Sequence, residues 1–356
     1  MSKILSIIIP TYNMSTLLPR CLDSLVNAQN ADQIEAMVVN DGSKDNSLEV
    51  ARSYEVRYPG IVTVIDKPNG NYGSTINAAL PVAKGKYVKI LDSDDWFDSH
   101  ALDLFVDALT SLDVDIAVTH FSQIGPKVTE IVRYNTMGRE PYQYGKVYQL
   151  DDILPDGYIR FFLMHSITYR TQLLRDMNYR QTEGISYTDT EWACFPTYFA
   201  QSIVFFDINL YQYNLCREGQ TMDPVVILKS THQLLKIQDS LIDFYARNIN
   251  QVSETRKAFL KQYMENRYRL TYKLFLLDIP RKDFDVNYFT ELEKKLHSEC
   301  EQYGFQPRLY PENKILHLDC IRYWRRHHKR LPLWLEKINS CVDVIVKWFY
   351  VKLLRS

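Results

Sequence analysis

Three carboxylates close an apolar run: Val88-Lys89-Ile90-Leu91 leads straight into Asp92-Ser93-Asp94-Asp95 and Trp96. Such a run reads as a strand buried on both faces, and open α/β sheets gather ligands just past the carboxyl ends of their strands. Residues two apart on a strand point the same way, so Asp92 and Asp94 can converge on one ligand. A hard cation suits that pair. Mg²⁺ or Mn²⁺ takes one or two carboxylates and completes its shell with phosphate oxygens and water. A plainer role is also open, because Asp95 or Asp98, just ahead of Ser99-His100-Ala101-Leu102, can cap the next helix.

Three further polar clusters follow apolar stretches in the same way: Pro10-Thr11-Tyr12-Asn13, Asn40-Asp41-Gly42-Ser43 and Asn69-Gly70-Asn71-Tyr72-Gly73. The ring of Tyr12 can stack on a base while Asp41 accepts a hydrogen bond from a ring N–H, a pairing that favours a pyrimidine. Taken singly, Tyr12 is a rim aromatic and Asp41-Gly42 a turn. Their shared position after the strands of one sheet is what points to a common ligand.

The elements that must position these clusters are legible from periodicity. Apolar runs at 4–9, 34–39, 61–65, 88–91 and 115–119 read as strands, and helical spacing recurs at 16–26, 45–57, 74–83 and 99–112. Alternation at this spacing predicts an α/β fold with a doubly wound, mostly parallel sheet and right-handed crossovers. The rhythm breaks over 121–149, as expected of a hairpin insertion or a mobile loop. A helix is expected over 151–164, a short strand at 167–169, a helix over 189–199 and a strand at 203–206. From 223 onward the pattern is helical, near 225–249, 254–277, 284–303 and 313–328. These readings divide the chain into 1–220, a helical region 221–319 and a tail 320–356.

With 46% hydrophobic and 24% charged residues and only 12 glycines in 356, the composition is that of a globular chain with a full core, not a disordered or fibrous one. A net charge of -1 argues against bulk nucleic-acid binding. Cys21, Cys194, Cys216, Cys300, Cys320 and Cys341 show no zinc spacing, so reduced cytoplasmic thiols are expected. The apolar start at 4–9 is too short for a secretory signal, and no window has the length of a membrane span.

In order and spacing, Ser6-Ile7-Ile8-Ile9-Pro10-Thr11-Tyr12-Asn13, Val39-Asn40-Asp41-Gly42-Ser43, the 69–73 loop with Asn77, and Leu91-Asp92-Ser93-Asp94-Asp95 resemble the family 2 glycosyltransferases with the GT-A fold. The resemblance covers residues 1–220 and implies an inverting, metal-dependent sugar transfer. The donor would be a nucleotide sugar, usually a UDP-sugar, and the acceptor a saccharide, lipid-linked in cell-surface polysaccharide synthesis. It assigns Pro10, Tyr12, Asp41 and Asn69 to the nucleotide, Asp92 to the ribose, and Asp94 to the Mn²⁺ or Mg²⁺.

Inverting transfer also needs a base for the acceptor hydroxyl. Family members often supply it from a Glu-Asp pair at a helix start, and Tyr187-Thr188-Asp189-Thr190-Glu191-Trp192 occupies the matching place. Asp189 is then the base, Glu191 its rival because Thr188 replaces the first acid, and Trp192 a wall of the acceptor site. Structurally, Thr188 can simply cap a helix whose first turn holds both acids. Arg217, in Cys216-Arg217-Glu218-Gly219-Gln220, suits a loop closing over a diphosphate; its plainer role is a solvated pair with Glu218. Two rival readings stand beside the transferase: a nucleotide-sugar-binding or assembly subunit without catalysis, and a sugar-nucleotide pyrophosphorylase. The latter would carry a Gly-rich basic loop after the first strand, which residues 10–13 lack.

The tail is separate. Residues 320–356 carry nine Lys or Arg against Glu336 and Asp343, mixed with Trp324, Trp334 and Trp348. Basic amphipathic segments of this kind lie in the headgroup plane of an anionic membrane, which predicts a peripheral position on the inner face. The alternative is a helix packed on the protein's own surface or in a homo-oligomer contact.

Overall fold

The computed structural model describes residues 3–126, 129–134, 142–156, 163–215, 230–310 and 318–335. Strand and helix alternate from the start: β1 (Leu5–Thr11), α1 (Leu18–Val26), β2 (Ile34–Asp41), α2 (Ser47–Arg57), β3 (Val62–Lys67), α3 (Asn71–Ala79) and β4 (Tyr87–Ile90). After these come β5 (Trp96–Phe97), α4 (Ser99–Thr110) and β6 (Ile116–Ile124). The mixed sheet runs β3-β2-β1-β4-β9-β6-β10-β5, where β9 is Ile167–Arg170 and β10 is Ser202–Asn214. Strands β7 (Thr129–Val132) and β8 (Val147–Gln149) pair at the side, with β6 and β10 respectively.

The apolar run of β1 is buried at every position because the strand lies between parallel partners, β2 and β4. Full burial of a Leu or Ile side chain is worth about 1.5–3 kcal/mol, so this strand anchors the sheet. Gly85 is needed at the entry to β4, since a Cβ there would sit 2.3 Å from the backbone nitrogen of Ser6. The strands β1 to β4 are parallel throughout. Beyond them the sheet becomes mixed: β9 is antiparallel to both β4 and β6, while β10 is parallel to β6.

Several boundaries differ from the periodicity reading, and proline accounts for three of them. Where a helix is expected at 151–164, the described residues form α5 (Leu150–Ile153) and a 3₁₀ turn, Leu154–Asp156, at Pro155, and 157–162 lie outside the described residues. After α6 (Thr171–Asp176), α7 (Asp189–Cys194) likewise gives way at Pro196 to the 3₁₀ turn Phe195–Tyr198. Similarly, α3 ends in a 3₁₀ turn, Leu80–Val82, that contains Pro81. A ring without an N–H cannot continue an α-helix. The strand expected at 203–206 extends instead to Asn214. The 121–149 insertion does form a hairpin, β6 against β7.

The chain divides into two compact units, Met1–Phe259 and Leu260–Ser356, while the boundary expected near 220 lies outside the described residues. Helix α8 (Thr231–Asn248) belongs to the first unit, where Phe244 stacks on Phe195 with ring centres 4.0 Å apart. Helix α9 (Glu254–Lys273) contains the division, and α10 (Val286–Tyr303) and α11 (Cys320–His327) lie in the second unit. There Phe275, Phe284, Phe289 and Trp324 form an aromatic core. No helix among the described residues is long and apolar enough to cross a membrane. Cys21 and Cys300 are buried free thiols, and Cys194 and Cys320 are buried as well.

Candidate active site

The ends of β1, β2 and β4 and the loop after β3 open on one cleft of about 460 Å³. Its lining includes Pro10, Tyr12, Asp41, Asn69, Asp92 and Asp94, all named from sequence as site residues, Tyr72, quoted there only within the 69–73 loop, and Ser186 and Tyr213, which were not named.

Each strand end is bonded to the next. After β1, Asn13 accepts from the Lys44 N–H at 2.8 Å and its own N–H donates to Ser43 Oγ at 3.0 Å. After β2, Asp41 Oδ1 accepts from Lys67 Nζ at 2.7 Å and from the Gly70 N–H at 2.9 Å. Asn69 Nδ2 donates to the Asp41 carbonyl at 2.9 Å. The backbone turns left-handed at Asn13, Gly42 and Asn71. At Gly42, where φ is +69°, an added Cβ would come within 2.9 Å of the Asn69 nitrogen, so the approach of the two loops depends on glycine. From the start of α3, Tyr72 donates to Asp92 Oδ1 at 2.7 Å. Burial and the Asp92 charge push the Tyr72 phenol well up, keeping it a donor.

The acidic turn divides into two sides. Asp92 and Asp94 line the cleft. Asp95 turns away and is buried, where Oδ2 accepts from Tyr211 at 2.6 Å and Oδ1 from the Asn214 N–H at 2.7 Å. Of the two capping candidates named from sequence, Asp98 is the cap of α4, accepting from the Ala101 N–H at 2.9 Å, and Asp95 is not. Burial, then the charges of Asp92 and Asp94, raise the Asp95 carboxyl well above its ordinary range. The outer side of the turn is held by Arg20, which donates to the Asp94 carbonyl at 3.1 Å and stacks 3.7 Å over Trp96.

Hard oxygen donors at a cleft mouth fit Mg²⁺ or Mn²⁺, and Asp94 and Asp92 provide them. A second group, Asp92, Asp95 and His165, brings its ligand atoms within 4.8 Å of one another. Asp95 and His165 are buried, and the His165 ring packs against Phe121, Tyr211 and Tyr213. Burial, and then the Lys89 charge, lowers His165 to about 3. Asp94 is on the open side, where phosphate oxygens can reach a cation, and the buried group is not.

The segment that leads to Asp189 is fastened to α3. Asn77 makes a reciprocal pair with Gln181, donating to its carbonyl and accepting its N–H, both at 2.9 Å. Gly73 lies so close that a Cβ would be 2.3 Å from the Thr182 carbonyl. Tyr187 is left-handed at φ 67°, a conformation that costs a non-glycine residue energy and is held here by its surroundings. Thr188 does not cap α7; its hydroxyl donates to Gln181 Oε1 at 2.9 Å.

Asp189 is half-buried, and its charge acts on Tyr72 and Tyr213 in the cleft lining. Glu191 is 0% exposed, with Oε2 accepting from the Thr182 N–H and Oε1 from the hydroxyls of Thr182 and Ser240. Trp192, read from sequence as an acceptor wall, is instead a core residue at 0% exposure between Tyr169 and Tyr179. Helical spacing turns it into the sheet. Arg217 lies outside the described residues.

Residues 6–176 match the family model described as glycosyl transferase family 2. The chain is 27% identical to an uncharacterized glycosyltransferase, the MG060 homolog of Mycoplasma pneumoniae, over 75% of this chain and 87% of that one. It is 40% identical to the poly(ribitol-phosphate) beta-glucosyltransferase of Bacillus spizizenii over 28% of this chain and 16% of that one. It spans half or less of most of the curated relatives it matches. Among solved structures, S. aureus TarS 1-349 in complex with UDP-GlcNAc is similar in fold, with a TM-score of 0.59 at 19% identity over 84% of this chain and 80% of that one. The GT-A-like sheet, the cleft at its strand ends and these matches agree: residues 6–176 of the chain form a glycosyl transferase family 2 domain.

Proposed function

We propose that the chain transfers a sugar from a UDP-sugar to a hydroxyl of a saccharide acceptor, with inversion at the anomeric carbon, in the synthesis of a cell-surface polysaccharide. The observation that carries this reading is the convergence of Pro10, Tyr12, Asp41, Asn69, Asp92 and Asp94 on one cleft. The volume lies within the range of small-ligand sites. A structural neighbour solved with UDP-GlcNAc and a relative named for glucosyl transfer to poly(ribitol-phosphate) support the donor and acceptor classes.

Tyr12, 42% exposed at the cleft, stacks on the base. Asp41, with Oδ1 held by Lys67 and Gly70, offers its second oxygen to the ring N–H. Asp92, oriented by Tyr72, takes the ribose. Mg²⁺ or Mn²⁺ held by Asp94, when bound, supplies positive charge for the departing diphosphate. Asp189 accepts the proton of the acceptor hydroxyl as its oxygen bonds to the anomeric carbon and the bond to the UDP oxygen breaks. Glu191 is not the base in this account, since both its oxygens are already engaged in the interior. The assignment of Arg217 to the diphosphate rests on the sequence alone, and the acceptor is carried on a lipid.

Incubation of the protein with panels of UDP-, GDP- and dTDP-sugars, with acceptor saccharides and Mn²⁺, tests the reading by nucleotide release and the anomeric configuration of the product. UDP release with an inverted product is expected. Release confined to another nucleotide, or a retained configuration, would overturn it.

A further inference from the structure

The second unit ends its described part in a surface that its own core leaves uncovered. Helix α11 uses one face internally: Cys320, Ile321 and Trp324 are buried, and the Trp324 ring meets Phe289 at 4.8 Å. Two of its neighbouring cations are also used internally. Arg325 donates to Glu293 Oε1 at 2.8 Å and to the Tyr272 hydroxyl at 3.1 Å. Arg330 donates to the carbonyls of Ile279 and Leu277 at 2.6 and 3.1 Å. These two arginines are therefore structural, although the sequence does not distinguish them from the rest of the basic tail.

The remaining groups point outward. Arg322 has 77% of its side chain exposed, its nearest acid being Asp319 at 4.0 Å, and Arg326 and Lys329 are exposed as well. Beside them in the chain stand Leu333 at 55% and Trp334 at 61% exposure, a larger exposure than any other described tryptophan. The segment that presents them is fixed: Leu331 is buried, its carbonyl accepts from Arg281, and Pro332 follows. An exposed leucine and tryptophan that follow three exposed cations closely along the chain match the interface of an anionic bilayer, where the rings enter the headgroup layer and the cations meet the phosphates.

We propose that Arg322, Arg326, Lys329, Leu333 and Trp334 form a docking surface for an anionic lipid membrane. This goes beyond the sugar-transfer reading and does not depend on it. It places the enzyme where a lipid-linked acceptor is found, and it is measured without substrate, so either reading can fail alone.

The full chain is sedimented with vesicles of phosphatidylcholine alone and of phosphatidylcholine with phosphatidylglycerol, at low and high salt. Binding is expected only to the anionic vesicles and should weaken as salt rises. Replacing one cation, Arg322→Gln or Lys329→Gln, should weaken partition about five-fold, the equivalent of about 1 kcal/mol per basic residue. Trp334→Ser with Leu333→Ser should abolish most of it, while Arg322→Lys retains it and shows that charge, not folding, was lost. Failure of the wild type to bind anionic vesicles overturns the proposal. So does unchanged binding of the Trp334→Ser, Leu333→Ser form, which would place the lipid contact elsewhere in the chain.

Discussion

The hydroxyl of Tyr211 donates to Oδ2 of Asp95 at 2.6 Å while accepting the N–H of Asp92 at 3.2 Å, so one phenol holds both ends of the acidic turn. Asp95 is thereby an anchor for β10, and Asp92 and Asp94 are left to the cleft. Tyr211→Phe removes the donor and keeps the ring. Leaving buried polar partners without their hydrogen bond costs about 1–3 kcal/mol, and stability in urea should fall by about that amount. Because groups that orient metal ligands commonly change affinity about ten-fold or more, the Mn²⁺ needed for half-maximal UDP release should rise on that scale. An unchanged Mn²⁺ dependence would show that the turn keeps its shape without β10.

The two acids of α7 should separate in kinetics. Asp189→Asn keeps the shape and removes the base, so kcat should fall about 10²- to 10⁴-fold with the KM for the donor little changed. Glu191→Gln places an amide N–H₂ against the Thr182 N–H and hydroxyl, and should cost about 1–3 kcal/mol of stability with a smaller loss of kcat. Steady-state rates and urea melts on both variants decide this. The reverse order of effects would make Glu191 the base.

Gly73 and Asn77 hold the segment before Asp189 in place. Gly73→Ala forces a Cβ toward the Thr182 carbonyl, and overpacking of this kind costs about 1–3 kcal/mol. Its activity should fall by more than its stability loss at the assay temperature explains, because the shift is passed to residues 181–188. A variant with full activity would remove α3 from the account of the base.

Lys89 is buried under the sheet end, donating to the carbonyls of His165 and Ile167 at 2.8 and 3.1 Å, and burial lowers its ammonium to about 7. Between about 7 and the ordinary 10.5, the unfolded chain binds a proton that the folded chain has released. Stability through this group therefore rises with pH across that window. Urea unfolding at several pH values between 7 and 10 should show Lys89→Met lacking this rise, so that the difference between the two proteins shifts in favour of the wild type as pH increases. Parallel pH profiles would contradict it.

The ends of β1, β2 and β4 were legible because each is an unbroken apolar run stopped by polar residues, and burial on both faces writes that pattern directly. Asp92 and Asp94 do share the cleft as expected, but β4 stops at Ile90, so the turn beyond it and not strand alternation separates them from Asp95. Alternation could not show what Asp95 does, because its partners Tyr211 and Asn214 lie more than a hundred residues away. The shifts of register in β10 between Phe205 and Tyr211 also hide which tyrosines of Tyr211-Gln212-Tyr213 face the cleft. Trp192 was misread for a related reason: in a six-residue helix the spacing does not say which side is the interior. Lys67 and Tyr72 stood in or beside a quoted loop, and only the fold shows that they orient Asp41 and Asp92.

The most direct test of the central claim, that this cleft binds the nucleotide of the donor and that Asp94 carries the metal, is calorimetric titration of UDP into wild type and Asp94→Ala, each with and without Mn²⁺. The account predicts that Mn²⁺ tightens UDP binding to the wild type about ten-fold or more and leaves Asp94→Ala unaffected. Equal tightening in the two proteins, or no UDP binding to the wild type with Mn²⁺ present, would contradict it.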